Sequence, residues 1–193
     1  HTRWATHGVP ADRNAHPHCD DKKDLVIAHN GIIENYLELR KELVECGHIF
    51  STETDTEILA NLIAFYKRQA QSLHTSVQNA LKRVSGAYGL VVMSRDESNQ
   101  LIVARMDSPL VIGIGQDGHY VASDMPALLH LTREFLVLEN GETAILEEDK
   151  YKIFNSLGEE VERDVLHCDW TPEQAERGGF AHFMLKEIYE QPD

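Results

Sequence analysis

The sequence is short of several things. It has no long apolar run: its longest candidates, such as residues 90–93, are the size of one strand, and a bilayer-crossing helix needs about 20 apolar residues. No membrane partner is therefore expected. Cysteine is scarce. Cys19, Cys46 and Cys168 make an odd count with no Cys-x-x-Cys spacing, which argues against a disulfide scaffold or a structural zinc site and suits a reducing, cytoplasmic setting. Basic residues are few, 18 Lys and Arg against 32 Asp and Glu, for a formal net charge of -14. Such a chain repels phosphate backbones, so nucleic acid is not an expected partner. Repeats and low-complexity tracts are lacking too. No Met opens the chain; His1 stands inside what reads as a motif, so a preceding segment is expected.

What is present fits a folded domain. The 193 residues are 42% hydrophobic and 26% charged, enough for one domain with a sizeable core. Residues 1–24 are rich in His, Asn, Asp, Pro and Gly and read as loop. Residues 25–29 read as a buried strand, followed by the turn-prone dipeptide Asn30-Gly31. Tyr36, Leu39, Leu43 and Cys46 recur at helical spacing, with Gly47 as a stop. Thr54 and Glu57 stand three apart, as a capping box requires, before the apolar face of Ile58, Leu62 and Phe65. A third helix is predicted over about 73–84. Then the period changes: segments 88–94, 101–106, 110–114, 119–123, 135–138, 142–146 and 151–155 alternate like strands, with turn residues between most of them and a short helix over 125–131. Helices followed by antiparallel-looking strands predict an α+β fold. The tail from Trp170 reads as polar, ending in a helix that runs into a linker.

Four clusters could carry chemistry. His1-Thr2-Arg3-Trp4-Ala5-Thr6-His7-Gly8 is the densest. Arg3 offers a planar fork suited to a carboxylate, and the plainer alternative is a solvated loop with Arg3 in a salt bridge; composition alone leaves both open. Asn30-Gly31, after a buried strand, could supply an amide and a backbone N–H to an oxyanion, although a lone Asn-Gly is more simply a turn. Asp55 could accept a substrate ammonium, or could merely favour a helix N-terminus. His16-Pro17-His18-Cys19 suggests a metal site, but proline imposes an extended stretch in which the imidazoles need not converge. No metal or cofactor is expected. Gly113-Ile114-Gly115-Gln116-Asp117-Gly118 matches a dinucleotide fingerprint by pattern, yet residues 119–123 read as strand rather than helix, so a hairpin is expected. None of the cysteines has a setting that would activate it, and Cys46 sits at an apolar helical position expected in the core.

The motif at residues 1–8 resembles that of class II, N-terminal-nucleophile glutamine amidotransferases, and within them the branch that aminates fructose-6-phosphate. Asn14-Ala15-His16-Pro17-His18, His29-Asn30-Gly31-Ile32-Ile33-Glu34-Asn35, Thr54-Asp55-Thr56-Glu57, Gly86-Ala87-Tyr88-Gly89, Ser108-Pro109-Leu110, Ala122-Ser123-Asp124 and the closing stretch 182–192 agree in order. The departures are small: Arg177 stands where Lys is frequent, and the 19–24 loop is slightly long. The resemblance implies a four-layer αββα sandwich, here without its first strands and without residue one, a catalytic cysteine. It implies one partial glutaminase domain over 1–193, ending at the linker to a sugar-phosphate isomerase domain that is absent, in an enzyme that is a homo-oligomer. The implied chemistry is attack on glutamine by the N-terminal thiol with its own α-amino group as base. Asn30 and Gly31 would hold the oxyanion. Arg3, Thr6 and His7 would hold the substrate carboxylate, Asp55 its ammonium, and Trp4 would shield the ammonia. The fragment itself is expected to be inactive on glutamine. The rival expectations are another class II amidotransferase and a non-catalytic glutamine-binding regulatory domain.

Overall fold

The computed structural model describes residues 6–69, 71–170 and 184. In chain order its elements are β1 (His18–Cys19), β2 (Leu25–Ile33), α1 (Tyr36–Glu45), α2 (Asp55–Lys67), α3 (Leu73–Leu81), β3 (Gly86–Ser94), β4 (Leu101–Met106), β5 (Val111–Ile114), β6 (His119–Ala122), β7 (Glu134–Val137), β8 (Thr143–Leu146), β9 (Tyr151–Phe154), β10 (Glu160–Val161) and β11 (Leu166–His167), with 3-10 turns at Asp12–Asn14 and Met125–Leu128. The strands form two antiparallel sheets, a seven-stranded one ordered β1-β2-β3-β4-β8-β9-β10 and a four-stranded one ordered β11-β7-β5-β6.

Strand alternation assigns the faces. Ile102 and Ala104 of β4 pack with Leu25, Ile27, Leu90 and Val92 under the helices. Val103 points the other way and meets Ile112, Leu136, Ala144 and Ile153 between the sheets. The outer face of the smaller sheet is covered by Leu128, Leu129 and Cys168 around Phe135. The order is therefore helices, sheet, sheet, cover, as the four-layer expectation requires; among the described residues the fourth layer is the 3-10 turn at Met125–Leu128.

α2 is the central helix. Every residue from Asp55 to Ala64 is buried, the pattern of a helix enclosed on all sides. Each of its fully buried Ile and Leu side chains contributes about 1.5–3 kcal/mol relative to exposure. Thr54 caps it, accepting from the Glu57 N–H at 3.3 Å, but the capping box is only half formed. The Glu57 carboxylate turns instead to the backbone N–H and hydroxyl of Ser51 (2.8 and 2.8 Å) and of Thr52 (2.7 and 2.7 Å). Four donors on the preceding loop outweigh the one that Thr54 would offer. α1 stops where predicted: Gly47, at φ 88°, donates to Val44 O (2.9 Å), and the His48 N–H reaches Leu43 O (2.9 Å), the Schellman arrangement.

Three readings of the sequence are corrected. Residues 1–24 are not all loop: His18 and Cys19 pair with Ile27 and Val26. Cys46 is exposed rather than in the core: it is the C-cap of α1, just outside the helix whose apolar spacing placed it inward. Asn30-Gly31 is not a turn. β2 continues through it to Ile33, with Asn30 opposite Gly89 and Gly31 opposite Tyr88. Gly31 takes φ +141°, and a Cβ there would lie 2.0 Å from Ala87 O, so glycine is required for pairing rather than for reversal. The Gly113–Gly118 stretch is a hairpin as expected, β5 running antiparallel to β6.

Candidate active site

Of the predicted site residues, His7, Asn30, Gly31 and Asp55 lie around the end of β2 and the start of α2. The Asp55 carboxylate, on the first residue of α2, accepts the Ile33 N–H at 2.9 Å. Its Oδ2 lies 3.9 Å from His7 Nδ1, and the His7 ring stands edge-on to Tyr36 with centroids 4.5 Å apart. Among the described residues no Lys or Arg pairs with Asp55, although only 5% of it is exposed. A buried carboxylate with one backbone donor and no fixed cation suits a cationic ligand group. Thr6 lies exposed on the bend beside His7. Arg3 and Trp4 lie outside the described residues.

On the opposite face of β2, Asn30 points toward the smaller sheet. Its Nδ2 is 3.5 Å from Ser123 Oγ, and its carbonyl accepts the Ser108 hydroxyl at 2.8 Å. Gly31 follows, so one side-chain amide and one backbone N–H sit side by side, the pair of donors an oxyanion needs.

Histidines brace this corner. His29 is 4% exposed; its Nδ1 is 3.2 Å from Thr56 Oγ1 and its Nε2 3.5 Å from Ala87 O. Burial pushes its pKa below the ordinary histidine value, against the pull of the nearby Asp55 charge. A neutral imidazole that donates toward Ala87 accepts the Thr56 hydroxyl proton, and Thr56 Oγ1 meets His16 Nε2 at 3.2 Å. His18 Nε2 approaches Thr54 Oγ1 at 3.4 Å. The rings of His16 and His18 do converge, with centroids 4.9 Å apart, as both imidazoles reach for hydroxyls at the start of α2, Thr56 and its cap Thr54. Among the described residues no group of three His, Cys, Asp or Glu is placed to hold a metal ion.

Asn14 is a residue whose role the sequence did not reveal. Fully buried, it donates to Val9 O (3.0 Å) and Glu53 Oε2 (3.2 Å) and accepts the Glu53 N–H (3.2 Å). It thereby clips residues 6–9 onto the loop before α2, which holds His7 near Asp55. A buried amide in a polar loop is the signal that could have found it.

Comparison with known proteins defines the class. The model of the glutamine amidotransferase domain family matches residues 1–130, and the chain belongs to that family. It is 45% identical over its whole length to glutamine–fructose-6-phosphate aminotransferase (isomerizing) of Fusobacterium nucleatum and 49% identical to the enzyme so named from Aquifex aeolicus. It covers 32% of each, so it spans about a third of the curated relatives it matches. Among solved structures, a glutamine phosphoribosylpyrophosphate amidotransferase from B. subtilis superposes with a TM-score of 0.67 at 32% identity, over 81% of this chain and 34% of that one.

Proposed function

We propose that this chain is the glutaminase part of an isomerising glutamine–fructose-6-phosphate aminotransferase. In that reading the side-chain amide of glutamine is hydrolysed to glutamate, and the ammonia passes to fructose-6-phosphate bound by a further domain, giving glucosamine-6-phosphate. Identity of 45–49% along this chain to about a third of the aminotransferases supports the acceptor. The observation that carries the reaction is the juxtaposition of the Asn30-Gly31 donors with the buried Asp55 carboxylate across one strand end.

The residues divide the work by chemistry. Asp55 holds the substrate α-ammonium, while Arg3, Thr6 and His7 hold the α-carboxylate. A thiolate on the N-terminal residue of the mature enzyme adds to the amide carbon, and the negative charge that develops on oxygen meets the Asn30 amide and the Gly31 N–H. The α-amino group of that same N-terminal residue, having taken the proton of the thiol, passes it to the amide nitrogen. Collapse of the intermediate then expels ammonia, which Trp4 screens from water, and leaves a thioester that water hydrolyses to glutamate, freeing the thiol. Cys19, Cys46 and Cys168 are not the nucleophile in this account. Cys168 is sealed in the outer core, Cys46 caps α1, and Cys19 is exposed on the face of β1 opposite the buried His18. The test is to supply the full-length enzyme with glutamine, with and without fructose-6-phosphate, and follow glutamate and amino sugar. Glutamate release accompanied by equal amino sugar supports the reading. Glutamine binding without glutamate release would make this a sensing domain instead.

A further inference from the structure

We infer that Ser108 is a positioning residue for the oxyanion donors, acting through the peptide group that joins Asn30 to Gly31; this rests on the glutaminase reading above. The argument begins with peptide geometry. The Asn30 carbonyl and the Gly31 N–H belong to one planar trans unit and point in opposite directions. Whatever fixes the carbonyl therefore fixes the N–H. The Ser108 hydroxyl donates to that carbonyl at 2.8 Å. It comes from the loop that joins β4 of the larger sheet to β5 of the smaller, and Ser108 is only 5% exposed, so water cannot readily take its place. A donor on the carbonyl also polarises the amide and strengthens its N–H as a donor.

The hydroxyl is itself held in place. Arg105 Nε donates to Ser108 O (3.1 Å), and its Nη1 donates to Leu138 O (2.5 Å). The intervening Asp107, at φ +51°, is tied to Asn140, whose Oδ1 accepts the Asp107 N–H at 2.9 Å and whose amide donates to the Asp107 carboxylate. Gly89, the register partner of Asn30, makes room for the turn: a Cβ on it would stand 3.0 Å from Pro109 O. The chain Leu138–Arg105–Ser108–Asn30–Gly31 thus links the smaller sheet to the donor pair. Packing alone would need neither the hydroxyl nor its direction.

The test uses the full-length enzyme and glutamate release. Ser108→Ala should lower kcat about tenfold, the size of one neutral hydrogen bond, with KM for glutamine within about twofold. Ser108→Thr, which keeps the hydroxyl, should recover most of the loss. Should the alanine variant fail to fold, Ser108→Cys, with similar volume and a weaker donor, provides the same comparison. An unchanged kcat in Ser108→Ala, or a raised KM with normal kcat, overturns the inference. Asn30→Ala is run alongside. If it too leaves kcat intact, the glutaminase reading of the site has failed; if it alone lowers kcat, only the role of Ser108 has.

Discussion

The two ends of α2 are built from the same residue types and put to different uses. At its C-terminal end Arg68 reaches both Asp20 (2.7 Å) and Asp21 (2.5 Å), and His48 meets Asp21 (3.1 Å) and Asn61 (3.1 Å). The Asp20 carboxylate also accepts the backbone N–H of Lys22, Asp24 and Leu25. Burial pushes the Asp21 carboxyl up, but the hydrogen bond and charge of Arg68, with His48 and Lys22, outweigh it and hold the pKa below the ordinary value. Each charge there has its complement within the fold, so the network fastens the 19–24 loop to the helix and offers nothing to a ligand. At the N-terminal end Asp55 has a backbone donor and a distant imidazole, while hydroxyls and histidines arranged around it satisfy one another. A polar cluster that completes itself is scaffold; a buried carboxylate with no Lys or Arg partner among the described residues is the place where the proposed function puts the substrate ammonium.

The comparison can be broken by mutation. Asn30→Ala should cost about 10²–10³ in kcat, the usual loss for one oxyanion donor, with KM little changed; steady-state glutamate release measures both. Asp55→Asn keeps an acceptor for the Ile33 N–H but loses the charge. It should raise KM for glutamine about 30-fold, near 2 kcal/mol, while the melting temperature moves little. At the opposite end the split reverses. Arg68→Ala should destabilise the fold by about 1–2 kcal/mol, less than a fully buried pair because Arg68 is 30% exposed, and leave both kinetic constants unchanged; denaturant unfolding measures it.

A smaller effect concerns pH. His74, against Phe154 (centroids 4.3 Å apart) with Nε2 2.8 Å from Thr143 Oγ1, has its pKa lowered by burial to about 4. Between about 6.5 and 4 the unfolded chain takes up a proton at this site that the folded chain refuses. Stability therefore falls as pH drops through that window. Unfolding midpoints measured across it should show a shallower slope in His74→Gln.

Much of this was legible before any coordinates. The three helices and most strands followed from apolar period, the α+β class from helices preceding strands, and the four-layer order only from the family resemblance. The motifs singled out Asn30, Gly31, His7 and Asp55; in the fold His7 stands beside Asp55, and Asp55 accepts the N–H of Ile33, two residues beyond Gly31. What the sequence hid were contacts made across many residues. Asn-Gly looked like a turn because only the partner strand, with Ala87 O so close, shows that glycine is needed inside a ladder. Glu57 looked like half of a capping box because local spacing cannot reveal competing donors at Ser51 and Thr52. Asn14 and Ser108 stood in quoted motifs, but their partners did not; each acts on a segment far away in the chain.

The central claim is that the oxyanion forms beside Asn30 and Gly31 with the substrate ammonium on Asp55. The most direct measurement is a crystal structure of the full-length enzyme after reaction with a glutamine-mimicking alkylator. The account predicts the adduct oxygen about 2.7–3.1 Å from Asn30 Nδ2 and Gly31 N, and the adduct ammonium in contact with Asp55. An adduct on Cys19, Cys46 or Cys168, or one whose oxygen faces away from Asn30, would contradict it.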